Sequence, residues 1–230
     1  MKKRYVVLPG WGFDASIFFD LESDKLSFQY INLPVIFTSI HEVIITIANL
    51  IPDNSDILAW SLGGNISLKI IELYPKKVNS LVILSSTPCF LNMANWYGTR
   101  PAAKKLLLNT YYERDINQFK SYFLGLICYG MNDGKLLGYL KKFCNFRNEY
   151  YEENLLYLKF LFEVDLRYIS IKYSHKIAYI LGNMDYVIPK KTDWQLSRIN
   201  RVFIVNNAGH IPFITHRKDV QNILGNLRYE

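Results

Sequence analysis

The sequence predicts an α/β fold: a mainly parallel sheet of about six strands, with an all-helical segment inserted into it. Three observations carry this. Short apolar, β-prone runs recur along the 230 residues, amphipathic helical stretches lie between them, and from about 91 to 167 the strands give way to helical character alone. Alternating strands and helices imply a parallel sheet covered on both faces. A chain of this length can bury one core, or one core with an inserted subdomain.

In chain order the expected strands are "RYVVL" (4–8), "FQYINL" (28–33), "DILAW" (56–60), "SLVILSS" (80–86), "IAYILG" (177–182) and "RVFIV" (201–205). Several are apolar on both faces, as buried parallel strands are. Helices are expected at 40–50, at 62–74 and at 217–228. The second has Ile66, Ile70 and Leu73 on one face, with Pro75 just past its end. The domain expectation is a core of residues 1–90 and 168–230, interrupted by a helical cap over 91–167.

Composition narrows the class. Half of the residues are hydrophobic and 15% are aromatic, which is globular rather than disordered. The formal net charge of +7 fits either a plain basic protein or one with an acidic partner. Cys89, Cys128 and Cys144 are scattered with no C-x-x-C, which supports neither a disulfide framework nor a zinc knuckle. No His/Glu or Cys/His cluster has ligand spacing, so neither a metal nor a cofactor is expected. The start "MKKRYVVLPGWGFD" is basic, but its apolar run stops at Pro9-Gly10, too early for a signal peptide. The longest apolar stretch, 35–51, contains His41 and Glu42 and is amphipathic, so no membrane span is expected. The expected place is the cytoplasm.

The chemistry starts at "ILAWSLGG" (57–64). A small-x-Ser-x-Gly pattern between a buried strand and a helix is a nucleophile elbow. The serine stands on a tight turn, so the positions two residues away must be small, here Ala59 and Gly63. The competing reading is that Ser61 only caps the helix, a role serine favours; a capping serine needs neither Ala59 nor Gly63. An esterase also needs two N–H donors aimed at the developing oxyanion. Leu62, next to the nucleophile, and Trp11, in the glycine loop "GWG" (10–12), are the candidates. Asp185 follows an apolar strand in "YILGNMDYVIPKK" (179–191), and His210 follows another in "FIVNNAGHIPFITH" (203–216). Alone, Asp185 also reads as a residue that stabilises a turn, and a single loop histidine is more often structural than catalytic. Of the other histidines, His41 lies on an amphipathic helix, His175 in a polar turn, and His216 opens the last helix. Ser61, Asp185, His210 is the chain order of the α/β-hydrolase triad. Their roles are nucleophile, orienting acid and general base.

These motifs resemble one family in particular, the pimeloyl-acyl-carrier-protein methyl ester esterases of biotin synthesis. The matching pieces are "GWG", "WSLGG" (60–64), "SSTPCF" (85–90), "VDLR" (164–167), "LGNMDYVIPKK" (181–191) and "AGHIPFITH" (208–216). The elbow and histidine motifs occur across many hydrolases; "SS-x-PCF" and "VDLR", at the two ends of the insertion, are dictated by no catalytic need. The resemblance implies an α/β-hydrolase fold, release of methanol from carrier-bound pimeloyl methyl ester, and a triad of Ser61, Asp185 and His210 with Trp11 and Leu62 as oxyanion donors. The chain departs from the family at Pro9, where histidine is usual, and at Ala59 in place of glycine; the family's usual opening hairpin is expected to be absent, which leaves about six strands. A general short-chain carboxylesterase with no carrier role is the alternative.

The positive charge is concentrated. Residues 91–148 hold nine cations against Glu113, Asp115 and Asp133, and 149–165 reverse the sign. In 135–147, Leu136, Leu140 and Phe143 share a helical face, which turns Lys135 and Lys142 to solvent. Arg114, Lys120, Lys135, Lys141, Lys142 and Arg147 are therefore candidates to dock an acidic acyl carrier protein; an ordinary solvated surface is the plainer reading. No nucleic-acid motif accompanies the charge. Trp60, Phe90 and Phe143 are the expected pocket residues, and the protein is expected to be a monomer.

Overall fold

The computed structural model describes residues 2–227 except 94, 130, 132, 133, 189 and 190. Asp133 of the basic segment and Pro189 of the Asp185 loop thus lie outside the described residues.

Six strands form one sheet: β1 (Lys3–Leu8), β2 (Leu26–Tyr30), β3 (Ser55–Trp60), β4 (Val78–Leu84), β5 (Ile177–Gly182) and β6 (Arg201–Val205). The spatial order is β2-β1-β3-β4-β5-β6, and every pairing is parallel. In register, Ala59 lies between Leu8 of β1 and Ile83 of β4. The continuous apolar runs are explained by burial on both faces: Ile57–Trp60, Leu81–Leu84 and Ile177–Leu181 are almost wholly inaccessible. Two strand ends fall earlier than the apolar runs suggest. β2 stops at Tyr30 because Asn32 leaves the ladder, accepting from Ala15 N–H and donating to Asp14. β4 stops at Leu84 because Ser85 turns to φ 44°.

Helices α1 (Ile40–Leu50) and α2 (Leu62–Leu73) cross between strands on the N-terminal side of the chain. The segment between β4 and β5 carries α3 (Pro101–Glu113), α4 (Ile116–Ile127), α5 (Gly134–Lys141), α6 (Tyr151–Glu163) and α7 (Arg167–Lys172). Short α8 (Thr192–Leu196) and α9 (Pro212–Thr215) precede the closing α10 (Arg217–Asn226). The insertion is not helical from its start. It opens with two isolated bridges, Leu91 to Thr99 and Met93 to Trp96. Pro101 then sets the first helical residue and holds Arg100 extended.

The two motifs at the ends of the insertion meet. Cys89 bridges to Asp165, and Leu166 N–H donates to the Pro88 carbonyl at 2.8 Å. Arg167 closes the joint with a fork of hydrogen bonds onto the Asp165 carboxylate, which holds that carboxyl below its usual range. "SS-x-PCF" and "VDLR" thus form the joint through which the helical segment is attached to the sheet.

Candidate active site

The sheet order reverses between β1 and β3: the chain winds outward from β1 to β2, then returns to β3 and proceeds the other way. The crevice beyond the carboxyl ends of strands at such a point is where α/β sheets place their sites. The loop after β1 carries Gly10-Trp11-Gly12, and Ser61 follows β3 directly. Asp185 and His210 follow β5 and β6 at the same sheet edge.

Ser61 has φ 52° and ψ −119°, a left-hand conformation that serine rarely adopts. Its side chain makes no capping hydrogen bond to α2, so the helix-cap reading fails for the hydroxyl. The surroundings hold this turn in place. Ser61 N–H donates to Leu84 O at 2.9 Å, and Gly64 N–H donates to Ser61 O at 2.9 Å. The glycine two residues on is a packing requirement: a Cβ at position 63 would lie 2.5 Å from Pro9 O and 2.8 Å from Leu8 O. The glycine loop therefore lies directly against the elbow.

Asp185 and His210 form a buried pair, their side chains 4% and 3% exposed, with Oδ2 and Nδ1 2.9 Å apart. Asp185 Oδ1 accepts from the Val187 and Ile188 N–H groups at 2.8 and 3.0 Å. Both carboxylate oxygens are thus committed. A carboxylate can only accept, so the His210 proton sits on Nδ1 and Nε2 is left as a base.

Ser61 and His210 line one cavity of about 220 Å³. Its walls are mainly apolar: Phe90 from the core side, with Leu107, Phe123, Leu158 and Phe162 from the helical segment. No Lys, Arg, Asp or Glu is among the described residues that line it. Sequence reasoning missed these helical wall residues. Their i, i+3 and i+4 spacings read as core stripes, and a periodicity cannot tell a packed face from one that faces a void.

Trp11 also lines the cavity, and its ring is embedded in the helical segment. It lies 4.8–5.7 Å from the rings of Tyr111, Phe119, Phe123 and Phe146, with Nε1–H donating to Asn154 O at 3.1 Å. The Trp11 backbone N–H has no acceptor among the described residues, and Leu62, first in α2, has no intrahelical one.

Of the three expected pocket residues, Phe90 lines the cavity and the other two do not. Trp60 is 1% exposed and packs beneath the site against Phe13, Phe213 and His210. Phe143 lies past the end of α5, where Lys142 and Phe143 close the helix with i→i−3 hydrogen bonds. Its carbonyl accepts from Asp14 N–H, and its ring packs on Tyr139. Leu136 and Leu140 are buried, and Lys135, Lys141 and Lys142 are exposed. Arg147 pairs with Glu149 at 3.2 Å, Lys120 is half-buried, and the Arg114 guanidinium lies over the ring of Tyr122, itself a cavity residue. Burial pushes the Cys89 and Cys144 thiols up, which keeps both as packed thiols rather than nucleophiles. No group of three or more metal-ligating side chains occurs among the described residues. No helix among them is long and apolar enough to cross a membrane.

Comparison with known proteins agrees with this architecture. The chain is 28% identical to a pimeloyl-[acyl-carrier protein] methyl ester esterase of Wigglesworthia glossinidia brevipalpis, over 92% of this chain and 88% of the relative. It is 27% identical to the protein of the same description from Nitrosomonas europaea, over 91% and 89%. Among solved structures it resembles an esterase from Exiguobacterium antarcticum, with a TM-score of 0.79 at 16% identity over 97% and 91% of the two chains. A hydrolase from Oleispira antarctica gives 0.81 at 15% identity over 97% and 90%. At these identities the solved structures speak for the fold alone. The family profile described as alpha/beta hydrolase fold matches residues 47–217, and the chain belongs to the α/β-hydrolase family.

Proposed function

We propose that this protein is a serine carboxylesterase that hydrolyses the methyl ester of pimeloyl-acyl carrier protein in biotin synthesis, with residues 91–167 as a cap over the core. The observation that carries the esterase reading is the buried Asp185–His210 pair at the cavity that Ser61 enters from a left-hand turn. The substrate reading rests on the two relatives described above and on the motifs shared with that family.

In this mechanism Ser61 Oγ attacks the ester carbonyl carbon while His210 Nε2 takes its proton. The oxyanion receives the backbone N–H groups of Trp11 and Leu62. Asp185 holds the Nδ1–H tautomer and stabilises the imidazolium. His210 then returns the proton to the departing methoxy oxygen, and methanol leaves an acyl-enzyme. Water attacks that ester, its proton passing through His210 to Ser61 Oγ, and the acyl chain departs as a carboxylate. The apolar cavity suits the methylene chain. Arg114, Lys120, Lys135, Lys141, Lys142 and Arg147 supply the basic face for the acidic carrier, with Arg147 contributing least because Glu149 already pairs with it.

The test compares carrier-linked pimeloyl methyl ester with p-nitrophenyl butyrate. The expected result is hydrolysis of both. The double substitution Lys141→Glu/Lys142→Glu is expected to slow the carrier-linked substrate at least about tenfold and the small ester by less than about twofold. Hydrolysis of the small ester alone would make this a general short-chain carboxylesterase. Equal slowing of both would remove the docking face.

A further inference from the structure

We propose that Trp60 is a positioning residue that sets where His210 stands relative to Ser61. This rests on the esterase reading above and goes beyond it. Trp60 is the last residue of β3, immediately before the elbow, and it belongs to no wall of the cavity. Its indole Nε1–H donates to the His210 carbonyl at 3.0 Å, a fully buried hydrogen bond. On another edge the same ring supports the glycine loop: a Cβ at Gly10 would lie 2.8 Å from Trp60 Cε3. Phe13 and Phe213 flank the ring at 4.9 and 5.3 Å, leaving it no freedom to turn. One rigid side chain therefore touches the glycine loop, the elbow strand and the histidine loop.

The restraints on His210 divide between two partners. Asp185 holds the ring at Nδ1 and so sets its rotation and tautomer. Trp60 holds the main chain of the same residue, which sets how far the ring reaches toward Ser61. Without the indole N–H the His210 carbonyl loses its donor in a site that excludes water, and the loop shifts to find another. Proton transfer in the transition state is far more sensitive to such a shift than substrate binding, because Trp60 does not face the substrate.

Trp60→Phe keeps an aromatic ring and removes the donor. It is expected to lower kcat for p-nitrophenyl butyrate about 30-fold, with KM changed less than about twofold. A benzothienylalanine isostere at position 60 replaces N–H by sulfur at nearly constant shape, and the same loss is expected in it. This keeps the test valid if Trp60→Phe does not fold. The second readout is labelling by a fluorophosphonate, in which Ser61 Oγ bonds to phosphorus, fluoride leaves and His210 takes the hydroxyl proton. Labelling is expected to slow by a factor similar to kcat. An isostere with wild-type kcat overturns the proposal, as does a rise in KM at constant kcat, which would return Trp60 to the pocket wall. A wild-type protein that is not labelled at Ser61 would instead overturn the esterase reading itself.

Discussion

Gly63→Ala tests how the elbow and the glycine loop share space. The added Cβ would lie 2.5 Å from Pro9 O, 2.8 Å from Leu8 O and 3.1 Å from Leu8 C. All three are main-chain atoms, so no side chain can swing aside. Ordinary contact requires the two segments to separate by roughly half to one ångström. Leu8 is tied into β1 and cannot follow, so the displacement falls on Pro9 to Gly12, the segment that carries the Trp11 N–H. A shift of that size at an oxyanion donor is worth about 10²-fold in kcat. Overpacking costs about 1–3 kcal/mol of stability, which a core of this extent tolerates. The assay is steady-state hydrolysis of p-nitrophenyl butyrate alongside thermal unfolding. The expected result is a folded protein with kcat down about 100-fold and a smaller change in KM. A folded Gly63→Ala variant with kcat within about threefold of wild type would refute the claim that the loop against Gly63 supplies the oxyanion donor.

Ser61→Ala is expected to abolish hydrolysis of the small ester, by at least about 10⁴-fold, with the far-UV circular dichroism unchanged; retained turnover would remove the nucleophile assignment. Asp185→Asn preserves shape but presents an N–H or a neutral oxygen to His210 Nδ1, and is expected to lower kcat by roughly 10⁴-fold near neutral pH. Its kcat against pH separates a tautomer effect from a folding defect. Asp165→Asn addresses the joint of the helical segment. Arg167 hydrogen bonds lower the folded-state carboxyl below its unfolded value of about 3.9. The stabilisation is therefore present above that value and is lost as pH falls through the folded one. The variant is expected to melt below wild type at pH 7, the gap narrowing as pH drops below about 4; a gap independent of pH would show that the ion pair is not its source.

Much of the sheet was legible because a strand buried on both faces leaves an uninterrupted apolar run, as in β3, β4 and β5, and all six expected runs became strands. Their ends were less legible, since Asn32 and Ser85 end strands through contacts and a backbone angle that no periodicity registers. The helical insertion was visible from the loss of β-prone runs. Its non-helical start was not, because two isolated bridges have no repeating pattern.

The sequence by itself determined the order of chemical groups: a glycine loop, a serine between small residues, then an aspartate and a histidine after late strands. A parallel sheet of this order brings loops at the same strand ends to one edge, so chain order sufficed to bring those residues together. Tertiary structure alone decided what each side chain faces. Trp60, adjacent to the serine in sequence, turned under the site to hold His210. Trp11, between two glycines in the loop after β1, was drawn into the aromatic cluster of the insertion. Phe143, on the expected helical face, fell past the end of its helix and does not line the cavity. A sequence period records which residues are apolar and how far apart they stand. Whether the apolar side meets packed atoms, a void or a catalytic loop depends on segments up to 150 residues away, and only the folded chain brings those together.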